Sequence, residues 1–368
     1  MSSNAKIKRS TLPGIPGTKP ATSNAQLLVS TGIPSLDQFI GGGLPIGSIL
    51  LLEEDAYNTY SKIMFKYFIA EGIVNNHSIF LASQDTKPSN ILSDLPAPVS
   101  TEVPQAKSIS TDKNDEMKIA WRYQNMKVCD SSSKDVSVFG HYYDLTKTME
   151  SATLDGADVT KWDGENIELK SVVFENQVYM DLLLSIEKTI KEGNFFVSQE
   201  VKKRNILRIC ISSLGSRLWL CDSEEQTNKD LLKFLYMFRT LLRESFTVAI
   251  LTVPVHNYND HSTGVIQRIE HLSDVVIGIE SFVGSTKETN PVFKDYHGLL
   301  HIKKLPAFNT LVCHELLFSD LAFKLRRKKF LVEVLHLPPE LGDTTQREQD
   351  EVPTVGCGKS SSGHKLDF

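Results

Sequence analysis

The residues most able to do chemistry lie between Thr31 and Gly72. Here TGIPSLDQFI is followed by Gly41-Gly42-Gly43-Leu44-Pro45 and Gly47, and then by SILLL (Ser48–Leu52), a run of buried-strand type. The run ends in Glu53-Glu54-Asp55-Ala56-Tyr57-Asn58-Thr59-Tyr60-Ser61, after which Met64, Tyr67 and Phe68 mark one face of a helix. A strand that turns directly into a helix presents backbone amides to an anion. For phosphate binding the turn reads G-x-x-x-x-G-K-[ST]: glycines let the backbone close on the phosphates, lysine neutralises charge and the hydroxyl holds magnesium. Set on this strand, the pattern puts Glu54 on the first glycine, Thr59 on the second, Tyr60 on the lysine and Ser61 on the hydroxyl. Only the hydroxyl keeps its chemistry. Glu53, Glu54 and Asp55 would each oppose a polyanion by about 3 kcal/mol at about 5 Å with an effective dielectric of about 20. Tyr57 and Tyr60 add bulk where the loop must approach its ligand.

The elements around this turn follow from apolar runs that alternate with helical patterns, which predicts an α/β fold with a mainly parallel central sheet flanked by helices. The helix Ser61–Glu71 is expected to stop at Gly72, and SIFLA (Ser78–Ala82) is the second strand. A helix through Tyr179, Leu183, Ile186 and Ile190, closed by Gly193, precedes a strand at Ile206–Ile211. A helix Lys229–Arg243 leads to a β-branched run Thr247–Val253 stopped by Pro254. Strands at Asp274–Ile279 and Leu299–Lys303, and a hairpin of Leu321–Leu325 with Phe330–Leu335, complete the pattern and place antiparallel strands at the C-terminal edge. Residues 1–25 and 338–368 read as disordered tails around one domain, 26–337. Within it, 86–169 is polar and carries Pro88, Pro96, Pro98 and Pro104, which reads as an insertion, with MKIAWRY (Met117–Tyr123) its best strand candidate.

Composition narrows the classes of function. At 368 residues, 40% hydrophobic and with a net charge of −5, the chain has material for a sizeable core and no overall pull toward nucleic acid or anionic membrane, so such contacts need a local patch. No stretch approaches the roughly 18 apolar residues of a membrane span. Cys129, Cys210, Cys221, Cys313 and Cys357 are scattered, without C-x-x-C or zinc-ligand spacing, which suits free thiols in the cytoplasm, with the nucleus also open. Gly356-Cys357-Gly358-Lys359-Ser360 imitates the end of a phosphate loop, but no buried strand precedes it and too few residues follow for a helix.

The lead-in Thr31-Gly32-Ile33-Pro34-Ser35-Leu36-Asp37, with Gly41-Gly42-Gly43-Leu44-Pro45 and Gly47-Ser48, resembles that of RecA-like ATPases, including archaeal recombinases and circadian-clock ATPases. In that family a carboxylate pair follows the second strand and a magnesium-binding Asp ends the third. Here those positions hold Gln84-Asp85 and Ser212-Ser213, so with the altered turn three requirements for ATP hydrolysis are missing. Longer stretches, among them LLVSTGIPSLDQFIGGG, FGHYYDLTK, SLGSRLW, LSDVVIGIESFVGS and NPVFKDYHGLLHI, resemble the RecA-like accessory subunits of the Elongator complex, over about residues 25 to 340. That resemblance implies a heterohexameric ring formed with two related RecA-like subunits. The ring binds tRNA and works with the catalytic Elongator core in modifying the wobble uridine, U34.

RecA-like rings reach nucleic acid through loops after the third and fourth core strands. In this chain those loops are Ser212–Trp219, offering Arg217 and the ring of Trp219, and His256–Gly264, offering His256, Tyr258 and His261. The one dense basic run, Lys324, Arg326, Arg327, Lys328 and Lys329, is a third candidate for phosphate contact or a solvated hairpin turn. The leading reading is a non-catalytic, tRNA-binding subunit without cofactor, metal or catalytic residue of its own. An active RecA-type ATPase and a protein-interaction adaptor without RNA contact are the alternatives.

Overall fold

A computed structural model describes residues 14–21, 26–99, 139–165, 167, 173–219, 223–258, 263–309, 320–326 and 329–336. All but His336 fall in one contact unit, Met1–Leu335. The chain opens with β1 (Thr18–Pro20), β2 (Leu27–Val29), α1 (Pro34–Phe39), β3 (Leu44–Pro45), β4 (Ile49–Glu53) and α2 (Tyr60–Val74). It continues through β5 (Ser78–Ala82), α3 (Pro88–Ser93), β6 (Pro96–Pro98), β7 (Tyr143–Thr148), α4 (Ser151–Asp155), β8 (Val159–Trp162) and α5 (Gln177–Glu192). The second half holds β9 (Leu207–Ile211), α6 (Glu224–Arg243), β10 (Thr247–Val253), α7 (Thr263–Leu272), β11 (Val275–Ser281), β12 (Gly298–Lys304), β13 (Leu321–Arg326) and β14 (Lys329–Val334).

Nine strands form one sheet in the order β14-β13-β12-β11-β4-β10-β9-β5-β8. The pairings from β8 to β11 are parallel, and β12, β13 and β14 add on antiparallel at the C-terminal edge, as expected for the α/β class. Continuous apolar runs become strands here because both faces of the sheet are covered, so successive side chains enter different cores. Leu50 and Leu52 of β4 join Met64, Phe68 and Ile69 of α2 on one face. Ile49 and Leu51 join Tyr179 and Ile186 of α5 and Phe234 and Phe238 of α6 on the other. No helix among the described residues is long and apolar enough to cross a membrane.

Three expectations need correction. Helix α2 does not end at Gly72 but runs on to Val74. A Cβ at Gly72 would lie 2.5 Å from Ile79 Cδ1 and 2.7 Å from Arg208 Cδ, so this glycine makes room for a buried arginine and does not terminate the helix. The 1–25 tail is not without structure throughout: β1 pairs with β2, Ile15 enters the core, and the Pro16 carbonyl accepts a hydrogen bond from His77. Nor is 86–169 only an excursion, since β8 is the parallel edge strand beside β5 and both Tyr143 and Trp162 are buried. Residues 117–123 lie outside the described residues.

The polar centre of the fold is Arg208, wholly buried on β9. Its Nε donates to His77 Nδ1 at 3.0 Å, and its Nη1 donates to the carbonyls of Ser30 and Phe68 at 3.0 and 3.1 Å. With Nδ1 accepting, the His77 proton sits on Nε2 and is donated to the Pro16 carbonyl at 2.8 Å. Glu71 balances the charge and accepts from the Tyr143 hydroxyl at 2.7 Å and the His141 amide at 3.1 Å. Burial would raise the Glu71 carboxyl, but the His141 hydrogen bond, the Arg208 charge and the Tyr143 hydroxyl outweigh it and hold the pKa at about 2. Burial and the Arg208 charge lower His77 to about 3, whereas burial raises Asp37 to about 6.

Two outcomes follow for stability, both readable by chemical denaturation. Gly72→Ala should cost about 1–3 kcal/mol, because the added methyl overpacks Ile79 and Arg208. A histidine depressed in the native state contributes stability above its unfolded pKa and loses it on acidification. Relative to a His77→Gln variant, the native protein should therefore lose stability as pH falls from 6.5 to about 3. Asp37 opposes this loss between about 6 and 3.8 and Glu71 adds to it below 4.5 in both proteins, so these two contributions cancel in the comparison and the difference falls across the whole range from 6.5 to about 3.

Candidate functional site

The turn from Glu54 to Thr59 leaves the C-terminal end of β4, which lies between β10 and β11 in the sheet. The chain order reverses at this strand, and open α/β sheets bind ligands in the crevice at such a point. In this turn the anion position is filled from within. The Asp55 carboxylate accepts from the amides of Thr59, Tyr60 and Ser61 at 2.9, 3.0 and 3.0 Å and from the Ser61 hydroxyl at 2.9 Å. These amides open α2 and have no partner within the helix, so a carboxylate there both hydrogen-bonds them and meets the positive end of the helix dipole. Asn58, at φ +49, closes the turn by donating its amide to the Asp55 carbonyl at 2.7 Å, and its side chain reaches the Ser61 hydroxyl at 2.7 Å.

The neighbouring acids are engaged in the same way. Glu54 accepts from the hydroxyls of Ser213 at 2.8 Å and Thr252 at 2.7 Å. Burial pushes its pKa up, and the two hydroxyls partly offset this. Glu53 pairs with Lys303 Nζ at 2.6 Å, and Lys303 also bonds Glu270 at 2.7 Å. Burial raises the Glu53 carboxyl against the pull of that lysine. Sequence reasoning set all three acids against a polyanion; their partners instead are the chain's own donors, because each carboxylate lies within reach of one. Tyr60, which sequence reasoning set on the lysine position, turns into an aromatic cluster, its ring 4.7 Å from Phe323 and 6.3 Å from His297. Thr59 and Tyr57 are exposed, and Ser61 is buried beneath them. Asp85 accepts from Ser83 at 2.6 Å and stands 3.4 Å from the Ser213 hydroxyl.

The candidate RNA-contacting residues divide. Arg217 is exposed on a 3-10 turn, Arg217–Trp219, and His256 is exposed on another, Val255–Asn257, after β9 and β10 at the same end of the sheet as the Asp55 turn. Trp219 offers no stacking face to a ligand: it is 1% exposed and stacks with Trp162 and Tyr179. Tyr258 is spent in the same sense, its hydroxyl donating to the Gly215 carbonyl at 3.2 Å. Lys324 is not a free cation, since it pairs with Glu333 and lies 5.5 Å from the centre of the Tyr296 ring. Lys329 sits 4.4 Å over the Tyr142 ring. His261, Arg327, Lys328 and the 356–360 segment lie outside the described residues, as does the side chain of Arg326.

Sequence reasoning missed the role of Asp55, although an Asp shortly before an amphipathic helix is a capping signal. It also missed the Arg208 network, whose only sign was a lone charge in the apolar run LRICI. Among the described residues no group of His, Cys, Asp and Glu has the arrangement of a metal site. Cys210 is a buried free thiol whose pKa is pushed well up by burial.

The internal occupancy of the turn can be read by thermal unfolding. Asp55→Ala should cost about 2 kcal/mol as three helix-opening amides lose a charged acceptor. Millimolar sulfate should restore more of the melting temperature in that variant than it adds to the native protein, with chloride at equal ionic strength as control. Equal responses in the two proteins would show that Asp55 does not hold the anion position.

Known proteins resemble the chain over almost its whole length. It is 45% identical over 383 residues to Elongator complex protein 4 of Mus musculus, covering 97% of this chain and 90% of that protein. The Homo sapiens protein of the same name is 45% identical over 384 residues, at 97% and 89% coverage, and that of Xenopus laevis 42% over 391 residues, at 98% and 94%. Among solved structures, a KaiC-like protein from Pyrococcus horikoshii is similar at a TM-score of 0.46 and 16% identity, covering 83% of this chain and 98% of that one. The family model described as PAXNEB protein matches residues 11–368, and the chain belongs to that family.

Proposed function

We propose that this chain is a non-catalytic, RecA-like subunit of the Elongator complex that joins two related subunits in a heterohexameric accessory ring. In this reading the ring binds tRNA and supports modification of the wobble uridine, U34, by the catalytic Elongator core, in the cytoplasm, with the nucleus also open. The observation that carries the non-catalytic part is the Asp55 carboxylate on the amides of Thr59, Tyr60 and Ser61, where a phosphate-binding turn would hold its ligand. A triphosphate would have to displace that carboxylate and then face Glu53 and Glu54, with Tyr60 in place of a cation. Support for the assembly comes from the relatives' shared name. Support for RNA contact is narrower: Arg217 and His256 stand exposed at one end of the sheet, on turns anchored to the same framework as the Asp55 turn.

Isothermal titration of the purified chain with magnesium ATP should give no measurable binding. Micromolar affinity lost on Ser61→Ala would instead favour an ATPase. Co-expression with the two suspected partners should give a six-subunit mass, and tRNA affinity should drop severalfold when Arg217 and His256 are both replaced by Ala. A ring whose tRNA affinity ignores that pair would be an adaptor as far as this subunit is concerned.

A further inference from the structure

The exposed tip Arg217-Leu218 is clamped from both sides. On its N-terminal side, the Ser213 amide donates to the Thr252 hydroxyl at 2.7 Å and the Leu214 amide to the Thr252 carbonyl at 2.8 Å. On its C-terminal side, Trp219 stacks with two rings, Trp162 at 5.6 Å and 23° and Tyr179 at 5.5 Å and 17°. The stack continues through Phe234 and Phe238, so it crosses from the edge strand to helix α6. Trp162 is itself oriented, its Nε1 donating to Asp181 on α5 at 2.7 Å. The Trp219 carbonyl accepts from Asn176 Nδ2 at 2.6 Å, while Asn176 Oδ1 caps α5 by accepting from Val178 at 3.1 Å. Trp219 Nε1 makes no hydrogen bond to the protein, so ring stacking and the Asn176 amide do the anchoring.

This anchoring exceeds what a surface turn needs. Leu218 is 60% exposed and Arg217 is exposed, yet the residue after them is held by three contacts, from Trp162 on β8, Tyr179 on α5 and Asn176 at the cap of α5. A flexible arginine loses rotamer and backbone freedom on meeting a phosphate; one on a fixed turn has already lost the backbone share. We propose that the Trp162–Trp219–Tyr179 stack and the Asn176 amide form a positioning device that holds Arg217 ready for an RNA phosphate. Strand β8, which carries Trp162, thus sets RNA affinity from within the 86–169 region. The inference rests on the reading that this subunit contacts tRNA through the turn after β9.

The test measures tRNA affinity of the ring assembled from full-length subunits, over a range of salt concentrations. Arg217→Ala tests the underlying contact and should lower affinity roughly fivefold and reduce the salt slope by about 1. Asn176→Asp keeps the helix cap but sets an acceptor against the Trp219 carbonyl; it should reproduce both effects and add nothing to Arg217→Ala in the double variant. Trp162→Leu should do the same, and Trp162→Phe, which keeps a ring, should return affinity and slope toward the native values. A merely structural role would lower the melting temperature and leave the salt slope of the assembled ring unchanged. If Arg217→Ala has its effect while Asn176→Asp and Trp162→Leu keep the native slope, the positioning device is wrong and the contact stands. If Arg217→Ala has no effect, the contact itself is wrong.

Discussion

Helix α2 opens at the C-terminal end of the central strand with amides that need an acceptor, and Asp55 is that acceptor. Everything nearby is arranged around this choice. Because Asp55 lies four to six residues before the amides it serves, the turn closes on itself, with Asn58 supplying the left-handed residue that such a closure needs. Ser61 is drawn under the carboxylate, and Tyr60 is freed to pack on Phe323 of the antiparallel extension. Glu54 then reaches sideways to β10 and to Ser213, two residues past β9. The turn thus joins β4, β10 and β13 to helix α2.

A second centre stabilises the opposite end of α2. Burying a guanidinium is costly unless its donors are met and its charge is balanced; Nε and Nη1 of Arg208 donate to His77, Ser30 and Phe68 and Glu71 balances the charge, while Nη2 has no hydrogen-bond partner among the described residues. Those partners come from the lead-in, α2 and the start of β5. Through His77 the network extends to Pro16, and through Glu71 to Tyr143 and His141. The segment before β2 and the segment before β8 are thus tied to one buried cation. This explains why polar, proline-bearing sequence around them belongs to the folded body.

The core was legible because strands buried on both faces leave continuous apolar runs, as in Ser78–Ala82 and Thr247–Val253, where the observed bounds equal the expected ones. The strand that precedes Glu53, Glu54 and Asp55 could be read from its apolar run. What those acids bond could not be read. Ser213, Thr252 and Lys303 lie 159, 198 and 250 residues away, and nothing local records such a partner. Gly72 misled for a similar reason: a glycine signals a helix end only when no neighbour needs the space. Among the basic residues, Lys324 looked available in one dimension, whereas the hairpin places Glu333 diagonally across from it.

Strand β8 joins β5 across a long stretch of chain, with Ser78 bonded to Asp158 over 80 residues. The entropy of closing such a loop grows only with the logarithm of its length, each doubling adding about 0.6 kcal/mol. Changes in the length of chain between β5 and β8 therefore cost little in closure entropy. The four residues of β8 have no such latitude, because a one-residue slip would turn Trp162 away from its neighbours. Length variation and sequence constraint should accordingly lie side by side in this part of the chain.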